Sequence, residues 1–102
     1  MSIIENTPNA ILTGIAERVK QRRLESALTQ KALAMRADIP LPTYRRFERT
    51  GEISLRALVM LSIALGMNDE FSTLFSAKTY SSLDDLLKQT QKRQRGKKSP
   101  LL

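Results

Sequence analysis

Arginine side chains are concentrated in one short segment of the chain. The stretch PLPTYRRFERTGE, residues 40–52, and the positions just after it contain Arg45, Arg46, Arg49 and Arg56. Tyr44 and Phe47 are interleaved with them. A guanidinium group can donate paired hydrogen bonds to a phosphate, or to the O6 and N7 atoms of guanine. The segment is therefore either a solvated basic helix or a surface that lies against a polyanion.

Positive charge is distributed unevenly along the whole chain. The net charge is +7, with ten Lys or Arg against four acids in residues 18–56. Residues 57–88 have two bases against four acids, and residues 92–98 contain five bases. Two basic zones thus flank a mildly acidic middle. A basic zone inside a folded domain suggests a polyanionic partner, because each neutralised phosphate releases counterions.

Composition limits the class of protein. A length of 102 residues, 41% of them hydrophobic and 26% charged, is typical of one small soluble domain. No apolar run approaches the ~18 residues of a membrane span, and MSIIENTPNAIL lacks a secretory signal, so we expect a cytoplasmic protein without membrane contacts. The sequence contains neither Cys nor His. We therefore expect no metal site, no cofactor, no catalytic residues and no enzymatic activity.

Apolar periodicity predicts two helices before the arginine-rich segment. GIAERVKQRRLES predicts an amphipathic helix over about 12–25, with an apolar side formed by Ile15, Val19 and Leu24. Thr29 is a good N-cap for a second, short helix over residues 30–37. The sequence DIP ends that helix, because the residue before a proline is driven out of the helical region.

The arginines themselves fall on a predicted third helix. Pro42 suits its first turn, where the missing N–H costs nothing. Tyr44 and Phe47 are three residues apart and should form its buried side. Arg45, Arg46 and Arg49 should then point away from the core.

The second half of the chain predicts a fourth helix from the Ser54 cap to Gly66, apolar on most sides and therefore central to the core. NDEFSTLF predicts a short fifth helix, and SLDDLL a C-terminal one that starts at a capping box. Residues 89–102 are interpreted as a frayed helix end and a disordered basic tail. We predict an all-α protein, a small bundle of about five helices with a short C-terminal helix and a basic tail.

The helix pair over residues 30–37 and 42–49 resembles the helix-turn-helix of the Cro and lambda-repressor type (the XRE family). The matching residues are Gln30, Leu33, Ala34, Ala37 and Ile39, with Tyr44 and Phe47 as the buried pair. The likeness extends over roughly residues 12–75. At two positions where such proteins usually carry glycine, this chain has Ala27 and Asp38, and a left-handed alanine costs ~1 kcal/mol.

The resemblance implies a lambda-repressor-like fold whose second motif helix enters the major groove of duplex DNA. For contact with bases we predict Thr43, Arg45 and Arg46. For contact with the DNA backbone we predict Gln30, Lys31, Arg49, Ser54 and Arg56. In this family a basic residue of the first helix pairs with an acid of the recognition helix, and Arg23 and Glu48 occupy those places.

A narrower resemblance is carried by YRRFERTGEISLRALVMLSIALG, followed by NDEFSTLF, SLDDLL and KRQRGKK. This string is similar to HipB-like antitoxins, which are encoded beside HipA-type kinases. The likeness implies a nucleoid-associated homodimer that binds a palindromic operator, represses its own operon and binds a HipA-like kinase. The apolar residues left over for a dimer or partner surface are Leu74, Phe75, Leu83, Leu86 and Leu87.

These expectations divide the chain into four parts. Residues 1–10 form an N-terminal extension and residues 11–76 the helix-turn-helix domain. Residues 77–91 form a C-terminal helical segment, and residues 92–102 the tail, which is a DNA arm, a docking peptide or a solubilising terminus. Two other functions stay open: a stand-alone repressor of phage or other type, and a protein-interaction module that acts through its C-terminal segment.

Overall fold

The computed structural model describes residues 7–79, 87, 88 and 90. These residues contain no strand. Their five helices are α1 (Pro8–Glu25), α2 (Gln30–Ala37), α3 (Leu41–Thr50), α4 (Leu55–Ala64) and α5 (Asp69–Ser72). The predicted all-α helical bundle is confirmed. The predicted tail, residues 92–102, and the predicted capping box of the C-terminal helix lie outside the described residues.

The chain divides into two compact units, Met1–Ser72 and Thr73–Leu102. The first contains α1 to α5. In the second, Leu87, Lys88 and Thr90 have helical backbone.

Helix α1 begins earlier than the apolar periodicity predicts. Thr7 has extended backbone, its Oγ1 accepts a hydrogen bond from the Ala10 N–H at 3.2 Å, and Pro8 occupies the first turn. The start near residue 12 was wrong because the cap signal precedes the first periodic apolar residue.

The apolar side of α1 also differs from the prediction. Leu24 is 51% exposed, whereas Arg23 is buried. Arg23 continues the Ile15 and Val19 row at i, i+4 and i+8, so a charged residue occupies the place that the prediction gave to a leucine.

Two left-handed residues set the turns on either side of α2. Ala27 has φ 58° and Asp38 has φ 57°, as their replacement of glycine predicted. The residue after each returns a hydrogen bond to the preceding helix: Leu28 N–H to the Arg23 carbonyl at 3.1 Å, and Ile39 N–H to the Ala34 carbonyl at 3.0 Å. The C-terminal ends of α1 and α2 are thus both Schellman motifs. They set the directions of α2 and α3 although neither left-handed residue is a glycine.

The core is built from α1 to α4. Tyr44, Phe47, Leu33 and Leu61 are its largest fully buried side chains. The Tyr44 and Phe47 ring centroids lie 6.1 Å apart, so the predicted inner side of α3 is correct. Helix α3 packs on α1 and α2, and α2 packs on α4. This arrangement holds α3 by its inner side and leaves the opposite side open.

Helix α4 is less central than its composition predicted. Ala57 and Leu61 are buried, but Leu55 and Ile63 are 66% and 59% exposed. The other helices of the first unit cover one side of α4 only. An apolar helix therefore presents a second side that is accessible in the described part of the chain.

Gly51 ends α3 at the place where that helix meets α1. It has φ 82°, and its N–H donates to the Phe47 carbonyl at 2.7 Å. A Cβ on Gly51 would lie 2.6 Å from the carbonyl carbon of Leu12 and 2.7 Å from its oxygen. Gly66, after α4, also has a positive φ, of 71°, but a Cβ there would meet nothing within 4 Å.

We expect Gly51→Ala to destabilise the protein more than Gly66→Ala. Both variants place alanine in left-handed backbone, at about 1–2 kcal/mol. Only Gly51→Ala also forces α1 and α3 apart, which adds about 1–3 kcal/mol of overpacking. Urea unfolding followed by circular dichroism measures both losses. Equal losses would show that the approach of Leu12 to Gly51 does not limit the packing of α3.

Candidate nucleic-acid interface

Helix α3 presents its arginines on the side opposite the core. Since an α-helix turns by about 100° per residue, Arg45 and Arg49 follow one line along it, and Arg46 lies between Arg45 and Thr43 around the axis. All four side chains are exposed. The structure thus places the predicted base-contacting residues on one accessible surface of a helix whose inner side is fixed in the core.

Apart from Arg49, which lies on α3, the predicted contacts to the DNA backbone lie at the beginnings of two other helices. Lys31 is exposed at the start of α2, and Arg56 at the start of α4. The Ser54 Oγ caps α4 by accepting the Ala57 N–H at 3.0 Å. The first N–H groups of a helix have no intrahelical partner and are favourable sites for anions.

Gln30 has a role that sequence reasoning missed. Its Nε2 donates to Glu48 Oε1 at 2.9 Å, so the side-chain amide is engaged inside the protein. Glutamine is more often solvated at the start of a helix, and no sequence signal distinguished this one. The prediction that Gln30 contacts a phosphate now rests on its backbone N–H and on the second hydrogen of its Nε2.

Arg23 and Glu48 form the ion pair that the resemblance implied, and it is buried. Arg23 Nε lies 2.7 Å from Glu48 Oε2, and the two side chains are 9% and 7% exposed. Arg23 Nη2 also donates to Glu48 Oε1 at 3.3 Å. Arg23 Nη1 donates to the Leu28 carbonyl at 2.9 Å, which ties the pair to the loop before α2.

Tyr44 completes the set of donors around this carboxylate. Its hydroxyl donates to Glu48 Oε2, so together with Arg23 and Gln30 each Glu48 oxygen accepts two hydrogen bonds. A carboxylate has about four acceptor sites, and all are used. We call Arg23, Gln30, Tyr44 and Glu48 the Glu48 network. It joins α1, α2 and α3 on the inner side of α3.

The network shifts the pKa of its members. Burial by itself would raise the pKa of Glu48, but the hydrogen bonds from Arg23, Tyr44 and Gln30 outweigh burial and hold that pKa below its usual value. The hydrogen bond to Glu48 raises the pKa of Arg23. Burial, followed by the hydrogen bond to Glu48, raises the pKa of Tyr44. All three shifts favour an ionised Glu48, a charged Arg23 and a neutral Tyr44 hydroxyl.

Arg46 has a neighbour that sequence reasoning did not pair with it. Its Nη2 lies 2.7 Å from Glu52 Oε1, and the two side chains are 60% and 56% exposed. Arg45 and Arg49 make no ion pair within the described part of the chain. Glu52 lies six positions after Arg46, beyond the end of α3, so helical spacing gave no signal for this contact.

The predicted dimer surface falls in the second unit. Leu74 and Leu87 are about half exposed, and Phe75 is 96% exposed with φ 62°. Leu83 and Leu86 lie outside the described residues. The described members are therefore accessible, as a contact surface requires.

Comparison with known families agrees with the geometry of the helix pair. A family model described as helix-turn-helix matches residues 19–71, just over half of the chain. The chain belongs to this family, which is of the Cro and lambda-repressor type. It is thus a DNA-binding transcription regulator whose ligand is double-stranded DNA, in a family that is not enzymatic. No curated protein sequence gave a significant match.

No helix in the described ranges combines the length and the hydrophobicity needed to cross a bilayer.

We expect Glu48→Gln to remove part of the acid dependence of stability. Because the folded pKa of Glu48 is lowered, its stabilising effect is fully present above the unfolded pKa, near 4.3, and is lost as the pH falls through the folded value. The variant should lose about 3 kcal/mol at pH 7, since it leaves Arg23 buried without a counter-charge. The difference in the free energy of unfolding between the variant and the wild type should become smaller as the pH falls toward 3. Urea unfolding across this pH range measures it.

Glu25→Gln provides the matched control. Glu25 pairs with Arg22 at 2.7 Å, but its side chain is 62% exposed, so its removal should change stability by less than ~1 kcal/mol. A Glu48→Gln curve parallel to that of the wild type would contradict the assignment of the acid dependence to Glu48.

Proposed function

We propose that this protein is a sequence-specific repressor that reads a palindromic operator as a homodimer, with α3 in the major groove. The observation that carries the proposal is the exposure of Thr43, Arg45 and Arg46 on the outer side of α3, while the Glu48 network fixes the inner side. Arginine is the commonest reader of guanine, and reading requires a helix held in a defined orientation.

The proposed contacts divide into two kinds. Thr43, Arg45 and Arg46 contact base edges, and Arg49 lies nearer the phosphates. Phosphate contacts at the helix starts come from the Gln30 backbone, Lys31, Ser54 and Arg56. Phosphate contacts set the register of the protein on the duplex, and base contacts select its sequence.

Within this function we propose the narrower role of a HipB-like antitoxin that represses its own operon and binds a HipA-like kinase. The support is the likeness of residues 44–66 and of the short motifs after them. A stand-alone repressor shares the same DNA surface and differs only in its lack of a kinase partner. The adjacent gene distinguishes the two: a HipA-like kinase gene beside this one supports the antitoxin, and its absence supports the stand-alone repressor.

Arg46→Ala and Lys31→Ala should affect DNA binding in different ways. Loss of a base reader should cost about 1–3 kcal/mol on the operator and relax its sequence preference, with little effect on random DNA. Loss of a phosphate anchor should weaken specific and random binding alike and reduce the salt slope by about one unit. Fluorescence anisotropy on both kinds of duplex over a salt series measures these effects. Equal losses on all sequences for both variants would contradict the proposed reading surface.

The proposed homodimer should have a defined contact surface. Two half-sites about one helical turn apart, ~34 Å, require two linked copies of α3. Leu74→Glu should convert the dimer to a monomer, because it places a charge in an apolar contact. Ile63→Glu, on the exposed side of α4, is the control and should leave the dimer intact. Sedimentation equilibrium at micromolar concentration measures the oligomeric state of both variants and of the wild type. A monomeric wild type would contradict the proposed homodimer.

A further inference from the structure

Within the described part of the chain, Arg46 differs from the other arginines of α3 in forming an ion pair with a carboxylate. The contact between Arg46 Nη2 and Glu52 Oε1 is 2.7 Å long, and both groups are on the surface. An exposed ion pair contributes little to stability, so a stabilising role does not account for this one. Its location on the proposed reading surface suggests a role in recognition.

The fold, rather than a loose loop, places Glu52 next to Arg46. The Thr50 hydroxyl donates to the Arg46 carbonyl at 2.8 Å and accepts from the Glu52 N–H at 3.1 Å. Gly51, between them, is held against the backbone of Leu12 with no space for a side chain. The backbone of Glu52 is thus tied to the last turn of α3 and, through Gly51, to α1.

We propose that Glu52 is a positioning residue that directs Arg46 to a base edge and away from phosphates. This inference rests on the proposed function, in which Arg46 reads the operator. The guanidinium has five N–H donors, and Glu52 accepts one of them, so enough remain for the O6 and N7 atoms of guanine. The pairing restricts the rotamers of Arg46 before DNA binds, which reduces the entropy lost on binding.

The negative charge of Glu52 also favours contact of Arg46 with a base over contact with a phosphate. A carboxylate beside Arg46 repels a phosphate but not the uncharged edge of a base, so it penalises the sequence-independent contact selectively. Arg45 and Arg49 have no such neighbour in the described residues, and either one can contact phosphate without this penalty. Glu52 therefore increases the ratio of specific to random affinity rather than affinity itself.

Glu52→Gln tests the proposal, because it removes the charge and keeps the shape. The probes are a duplex of about 30 bp that the full-length protein selects from a random library, and the unselected library itself. On unselected DNA we expect roughly threefold tighter binding and a salt slope steeper by about one unit, since Arg46 becomes free to neutralise a phosphate. On the selected duplex we expect no gain, so the specificity ratio should fall about threefold or more.

Three further variants separate positioning from a simple change of net charge. Glu70→Gln, on α5, removes one exposed negative charge that has no ion pair in the described part of the chain, and should leave the specificity ratio unchanged. Thr50→Val removes the hydroxyl bridge and should shift the ratio in the same direction as Glu52→Gln. In an Arg46→Ala background, Glu52→Gln should have no further effect on the ratio.

The outcomes distinguish this inference from the proposed function. If Glu52→Gln matches Glu70→Gln in specificity ratio and salt slope, or acts equally without Arg46, Glu52 does not position Arg46. If Arg46→Ala leaves the ratio unchanged, or if no duplex is selected, the assignment of Arg46 as a base reader is wrong.

Discussion

The buried carboxylate of Glu48 is the interaction on which the proposed DNA-binding surface depends. It accepts hydrogen bonds from Arg23 on α1, Gln30 on α2 and Tyr44 on α3. A buried ion stripped of water is unfavourable unless its acceptor sites are filled, and here all of them are. The angles between three helices are therefore linked to one charge. A change in any of those angles would leave a buried polar group without its partner.

This arrangement gives α3 two different sides. Its inner side combines the rings of Tyr44 and Phe47 with the Glu48 network, so it has both apolar packing and directional hydrogen bonds. Its outer side carries the arginines. Gly51 fixes the end of the helix against α1, since no side chain fits there. An element fixed on one side and exposed on the other can present arginines at a constant angle to a groove.

Much of the local structure followed from the sequence. Thr29 and Ser54 cap helices as predicted, Asp38 and Ala27 adopt left-handed backbone at the two positions where the family resemblance implied glycine, and α2 has the predicted bounds. These features depend on residues close to one another in the chain, whose side chains bond to their own backbone. The Arg23 and Glu48 pair came from the family resemblance, because residues 25 positions apart leave no periodic signal.

The sequence by itself determined the class of this protein, an all-α helix-turn-helix regulator with a basic outer surface on α3. Apart from the Arg23 and Glu48 pair, only the tertiary structure decided which polar side chains are partners. It buried Arg23 in place of Leu24, turned Gln30 inward to Glu48, paired Arg46 with Glu52 and left one side of α4 exposed. The physical reason is that helical periodicity reports only whether a side chain faces a core. The hydrogen bonds of polar side chains depend on distances between elements, which exist only after the helices have packed.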